Sequence, residues 1–314
     1  MAERSTLGAS DLRVFPVNLG GNTFGWTSDE ATSHAVLDRY VGLGGNFVDT
    51  ADSYSAWVDG HAGGESETVI GTWLRAHGNR EDLVIATKAG NHPRYKGLAP
   101  ATVRAALEGS LRRLQTDYVD LYYVHDDDPL VPIEDVAETF SALVDEGRIR
   151  YPAVSNMAPD RIRAWIRAAD EEGLYRPVAL QTLYNLVERG FEDTYETLAA
   201  EHGLAVLPYN AMARGFLTGK YRDGVTVTGP RAETGYAYLA TDRGRRVLAA
   251  LDEVAAAHDT APGAVSLAWL LAKPTVAAPV SSARVPDQLG VIFDAVRLEL
   301  TADDIGRLDD ASGR

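Results

Sequence analysis

The chain has 314 residues, 45% hydrophobic and 24% charged, with 30 Lys and Arg against 45 Asp and Glu for a formal net charge of −15. That length allows one large barrel or two ordinary domains with an ample core, and the acidic balance argues against a nucleic-acid partner, whose phosphates reward a basic face. The absence of cysteine excludes disulfides, thiolate catalysis and thiolate zinc sites, and without a signal-peptide pattern or a run near the roughly 18 apolar residues of a membrane span, a cytosolic protein with no membrane partner is expected.

Along the chain, short apolar runs alternate with segments of helical period, the pattern of a parallel sheet with helical crossovers. Residues 5–14 read as a hairpin ahead of a first strand at 17–19. Ser28, followed by Asp29 and Glu30, opens a helix to about Leu43, acids favouring the positive end of a helix dipole. Further strands are expected at 46–49, 83–87, 118–124, 151–154, 178–183, 205–209 and 276–280. Pro100, Pro132 and Pro159 suit first helical turns, and Gly147 and Gly173 suit left-handed helix ends. Residues 210–241 are Gly-rich and without period, which reads as a functional or disordered loop. Helices at 243–258 and 262–273 precede the last strand, and Thr301 with Asp304 forms a variant capping box for a closing helix. Eight strand–helix units predict a single α/β domain over 1–314, a (β/α)8 TIM barrel with an N-terminal β-hairpin and accessory C-terminal helices. A doubly wound sheet is the competitor.

A barrel of parallel strands gathers its strand ends on one face. Asp49, Lys88 and His125 end three successive strands, and Tyr54 follows Asp49 by five residues. An ammonium beside a phenol favours the phenolate. Lys88 is therefore expected to lower the Tyr54 pKa, Asp49 to hold Lys88, and His125 to polarise a substrate oxygen. Such a set suits protonation of a carbonyl oxygen while hydride reaches its carbon. Phe24, Trp26 and Trp57 lie in loops beyond strand ends and are expected to line an apolar substrate mouth with His125. The glycines 42, 44 and 45 precede a strand, whereas a dinucleotide fingerprint follows one. His125 to Asp128 are consecutive, so they cannot all point one way, and no metal site is expected.

These residues sit in motifs that resemble the aldo-keto reductase family from end to end. Gly45-Asn46-Phe47-Val48-Asp49-Thr50-Ala51-Asp52-Ser53-Tyr54 is similar to the family's first signature, and Leu121-Tyr122-Tyr123-Val124-His125-Asp126 to its histidine strand. The resemblance implies that Ser155, Asn156 and Gln181 hold the nicotinamide carboxamide and that Tyr209 stacks on the ring. It implies that residues 214–221, with Arg214 and Lys220, fold over the pyrophosphate. Ser282, Arg284 and Gln288 would meet the adenosine 2′-phosphate, and Gly21, Asn22, Asp49, Asn210 and Met212 complete the implied cofactor set. Asn210-Ala211-Met212 departs from the usual Ser-Pro-Leu, Pro152-Ala153 from Ile-Gly, and Ser282 from a common glycine. Val291 and Ile292 stand where an acid and an asparagine often contact adenine, so cofactor choice rests largely on Arg284. The implied activity is NADPH-dependent reduction of an aldehyde or ketone, with NADH possible as cofactor and Tyr54 as proton donor. The alternatives are a non-catalytic NADP-binding regulatory subunit and a Schiff-base aldolase using Lys88. Oligomeric state is not readable from the sequence.

Overall fold

The computed structural model describes residues 3–313. Its centre is one eight-stranded sheet. In chain order the strands are β1 (Asn18–Gly20), β2 (Phe47–Asp49), β3 (Val84–Ala89), β4 (Val119–Val124), β5 (Ile149–Ser155), β6 (Ala179–Leu183), β7 (Ala205–Tyr209) and β8 (Val280–Ser281). Each is parallel to its neighbours, in the order β7-β6-β5-β4-β3-β2-β1-β8. The remaining gap is bridged just before β8. Val206 N donates to Thr275 O and Ala277 N to Val206 O, both at 2.9 Å. The strand expected at 276–280 is thus divided between two neighbours. Its early part serves β7 and its late part serves β1, with Pro279, which has no N–H, accepting from Asn18 N at 3.0 Å.

Alternation along each strand makes two cores. Val48, Ile85, Tyr122, Val154, Leu180 and Val206 face outward to the helices. Phe47, Ala86, Leu121, Ala153, Ala179 and Leu207 face the barrel interior. The N-terminal hairpin forms as expected, Ser5–Thr6 pairing with Arg13–Val14, and its Leu7, Leu12 and Val14 join that interior core. Gly8, at φ +52°, lets the hairpin close on β6: a Cβ there would lie 2.3 Å from Val178 O.

Helices α1 (Glu30–Gly42), α2 (Glu65–His77), α3 (Pro100–Leu114), α4 (Ile133–Asp145) and α5 (Pro159–Glu172) cover the first half. Two short helices, α6 (Gly190–Thr194) and α7 (Glu196–His202), follow β6. The Asp29 side chain, not Ser28, caps α1 by accepting from Thr32 N, while Ser28 Oγ donates to Arg284 O. Pro132 stands just before α4 as its N-cap rather than in its first turn. Residues 210–241 are ordered more than their composition suggests. They hold 3₁₀ turns over Ala213–Thr218 and helix α8 (Ala232–Leu239), pinned by the Tyr236 hydroxyl, which donates to Val225 O and accepts from Val227 N. Helices α9 (Asp242–Ala257), α10 (Pro262–Leu271), α11 (Leu289–Arg297) and α12 (Ala302–Ser312) complete the chain. The capping box at Thr301 and Asp304 is present. No helix among the described residues is long and apolar enough to cross a membrane.

Candidate active site

The interior rows of side chains end in polar residues at the C-terminal face. Phe47 is followed two positions on by Asp49, Ala86 by Lys88, Tyr123 by His125, Ala153 by Ser155, Ala179 by Gln181 and Leu207 by Tyr209. A period of two residues carries each row from apolar bottom to reactive rim. Asp49 and Lys88 are fully buried. Lys88 Nζ donates to Asp49 Oδ2 at 2.5 Å, to Thr50 O at 2.8 Å and to the Tyr54 hydroxyl at 2.8 Å. All three ammonium donors are thereby used. The Tyr54 hydroxyl donates to Asp49 Oδ2 at 3.2 Å, and Gln181 Nε2 donates to Asp49 Oδ1 at 2.8 Å. The His125 ring stands edge-on to Tyr54, centroids 6.0 Å apart, with Ser53 Oγ 3.4 Å from its Nδ1.

Electrostatics here departs from the expectation that Lys88 would draw Tyr54 toward phenolate. Burial, then the Asp49 carboxylate, raises the phenol well above its usual value. The carboxylate lies as close to the ammonium as the phenol does and cancels much of its field. Tyr54 is therefore a protonated phenol at neutral pH. Burial lowers Lys88, with Asp49 opposing. Desolvation and the Lys88 charge push His125 down to about 3, so the imidazole is neutral.

Tyr54 and His125 open onto a cavity of about 540 Å³. Its walls include Asn22, Trp26, Ser155, Asn156, Gln181 and Tyr209. Ser155 Oγ is buried with no hydrogen-bond partner among the described residues. Asn156, in the left-handed region at φ +47°, donates through Nδ2 to His125 O and accepts through Oδ1 from the Tyr209 hydroxyl, at 3.0 and 3.1 Å. It thereby ties the ends of β4, β5 and β7. Asn185 accepts from Val187 N and Glu188 N and donates to Asn210 O, which sets the turn after Tyr209. At the far end the cavity reaches Asn210, Met212, Arg214, Lys220, Ser282, Arg284 and Gln288. Ser282 Oγ donates to Asn22 Oδ1 at 2.7 Å, and Gln288 Oε1 accepts from Arg284 N at 2.8 Å.

Four expected site residues fall outside an expected role. Asp49, fully buried with both oxygens bonded to Lys88, Tyr54 and Gln181, lies outside the cavity lining and so holds the cluster rather than meeting the cofactor. Phe24 is fully buried in the outer core, held by the turn in which its N–H bonds Gly21 O, so it is corrected from mouth to core. Gly21 packs against Ser66 and donates to Asp49 O at 2.7 Å, and Gly20 lines the cavity instead. Trp57, 52% exposed, stacks edge-on with Trp26 at 5.4 Å and stands outside the cavity lining.

Arg231 was missed. It lies in the aperiodic segment, where nothing in the sequence marks it, yet it lines the cavity with Arg214, Lys220 and Arg284. Burial, then the Arg284 and Arg231 charges, lowers Lys220, and burial, then Arg214 and Arg284, lowers Arg231. Like charges held this close suit an anionic occupant. Two loop amides that would otherwise serve such an anion are spent internally, Ala213 N on Asn210 O and Gly215 N on Met212 O.

The family model described as the aldo/keto reductase family matches residues 16–312. The chain is similar to protein tas of Escherichia coli (strain K12), 32% identical with 96% of this chain and 94% of that protein covered. It is 30% identical to aldo-keto reductase YhdN of Bacillus subtilis (strain 168), with 91% and 85% covered. It is 31% identical to an aryl-alcohol dehydrogenase of Pestalotiopsis microspora, with 96% and 79% covered. A buried acid–amine–phenol cluster at the rim of a parallel barrel, with matches that run through nearly the whole chain, leads to one assignment: the chain belongs to the aldo/keto reductase family.

Proposed function

We propose that the protein is an NADPH-dependent carbonyl reductase that converts an aldehyde or ketone to an alcohol, with Tyr54 as proton donor. The observation that carries this reading is the protonated Tyr54 hydroxyl, bonded to Lys88 and Asp49 at the wall of a cavity whose other end gathers four cations. The residues present fit the cofactor. Ser155 Oγ offers an unused buried polar atom to the carboxamide, Tyr209 offers a ring face, and Arg214, Lys220, Arg231 and Arg284 offer charge to its phosphates. When bound, the dihydronicotinamide supplies the hydride.

The chain's own residues handle the oxygen. The neutral His125 imidazole hydrogen-bonds the substrate carbonyl, its backbone held by Asn156 and its Nδ1 facing Ser53 Oγ. Tyr54 turns its O–H from Asp49 to that oxygen and gives up its proton as negative charge develops there. Lys88, still donating to the phenolic oxygen, stabilises the phenolate left behind. Trp26, with Trp57 stacked behind it, makes an aromatic wall, and the likeness to a protein named an aryl-alcohol dehydrogenase makes aromatic aldehydes the first substrates to try.

The test begins with fluorescence titration by NADPH and NADH, followed by a carbonyl screen at saturating cofactor. Tyr54→Phe is expected to lower kcat by a factor of about 10² to 10⁴, the usual contribution of a positioned acid, with the NADPH Kd nearly unchanged. Wild-type turnover in that variant rejects the proton-donor role. Tight NADPH binding without turnover of any carbonyl compound favours a regulatory cofactor-binding protein instead.

A further inference from the structure

The catalytic end of the cavity carries a carboxylate that neither the Tyr54 cluster nor the cation cluster uses. Asp126 follows His125 just beyond β4 and lines the same cavity. The next two acids of the run are anchored away. Asp127 accepts from Arg161 Nε at 2.8 Å, and Asp128 accepts from Leu98 N at 3.1 Å and Leu130 N at 3.2 Å. Asp126 is held by no arginine or backbone N–H, only by the Asn156 side chain, and among the described residues no cation meets it at ion-pair distance. Its carboxyl is half-buried and raised by that burial, with the Asn156 side chain and the Lys96 charge opposing. Burial, then the Asp126 charge, raises the phenol of Tyr209, with Arg214 opposing, and Asp126 and Tyr209 line the same cavity.

Among the described residues that line this end of the cavity, none is a cation free to receive an anion, and Lys96, whose charge reaches Asp126, stands outside that lining. Lys88 is fully buried and has spent all three donors, and His125 is neutral. Lys220, Arg231 and Arg284 act on one another rather than on Asp126, and Arg214, which joins them, reaches this end only as far as Tyr209. A substrate carboxylate beside the carbonyl group would therefore meet the Asp126 charge inside the cavity, offset only by Lys96 from outside the lining. A hydroxyl, amide or ammonium group in the same position would meet an acceptor.

We propose that Asp126 is a specificity-determining residue that selects carbonyl substrates bearing a hydrogen-bond donor near the carbonyl and rejects those bearing a carboxylate there. This inference rests on the carbonyl-reductase reading. The discriminating pair is 3-formylbenzamide and 3-formylbenzoate, alike in shape and different in charge. Their kcat/KM values are compared at pH 8 with saturating NADPH in wild type, Asp126→Asn and Asp126→Lys. Wild type is expected to prefer the amide by about tenfold, the scale of one partly screened like-charge repulsion. The preference should fall to roughly threefold or less in Asp126→Asn and invert in Asp126→Lys, as the repulsion is removed and then reversed. An amide-to-acid ratio equal in all three proteins, with turnover intact, overturns the role of Asp126 alone. Failure of wild type to reduce either compound or benzaldehyde, with NADPH bound, overturns the carbonyl-reductase reading and this assignment with it.

Discussion

Asp52, between Asp49 and Tyr54, is fully buried, and neither carboxyl oxygen has a hydrogen-bond partner among the described residues. Burial and the nearby Glu67 charge raise it to about 8, while Arg113, the Ser53 backbone and Lys88 oppose. The unfolded chain releases this proton near pH 4. Between about pH 4 and 8 the folded state keeps a proton that the unfolded state has lost, so stability falls as pH rises through that window. Asp52→Asn should flatten this slope, which is bounded by about 1.4 kcal/mol per pH unit. Urea denaturation of both proteins at pH 5, 6, 7 and 8 checks it, and parallel stability profiles would refute it. At this scale the sequence was legible where a residue ends an alternating strand row, as Asp49, Lys88 and His125 do. It was silent on the protonation of Asp52 and Tyr54, because burial and the Asp49–Lys88 pairing are properties of the folded interior.

Helices α2 and α3 meet through Gly71, where an added Cβ would lie 2.0 Å from Arg113 O and 2.8 Å from Leu114 C. Both obstacles are backbone, so neither can rotate aside. Gly71→Ala gains up to about 1 kcal/mol of helix propensity, yet forcing the helices apart costs about 1–3 kcal/mol and should prevail. A lower Tm in a thermal scan is the expected result, and an unchanged or raised Tm would refute it. Displacement there also reaches toward the site, since Arg113 Nε donates to Glu67 and Thr87 donates to Glu67, one residue before Lys88. Elements were legible where a pattern ran long enough to repeat. The hairpin of Asn91–His92 with Tyr95–Lys96 has strands too short for an alternation to register. Helix α8 escaped notice because its start at Ala232 has no side-chain cap and its period is short. The strand expected at 276–280 was found in the right place, but only the surrounding barrel decides that it serves two neighbours.

Over the whole molecule, the formal net charge of −15 hides a local concentration of the opposite sign. Arg214, Lys220, Arg231 and Arg284 share one end of the cavity, brought there from a loop and a strand end far apart in the chain. The proposed preference for the phosphorylated dinucleotide is tested here. Arg284→Ala should weaken NADPH binding by about tenfold or more, as expected for loss of a charge-assisted contact to phosphate. NADH affinity should change by less than about threefold, because that ligand lacks the 2′-phosphate. Titration with both cofactors at one fixed ionic strength decides it, since exposed charges are screened by salt, and an equal loss for the two would refute it. The hairpin beneath the barrel has one more consequence. With Leu7, Leu12 and Val14 stoppering the base, nothing can thread the barrel from below, and a visitor to Tyr54 must come and go at the rim where the strands end.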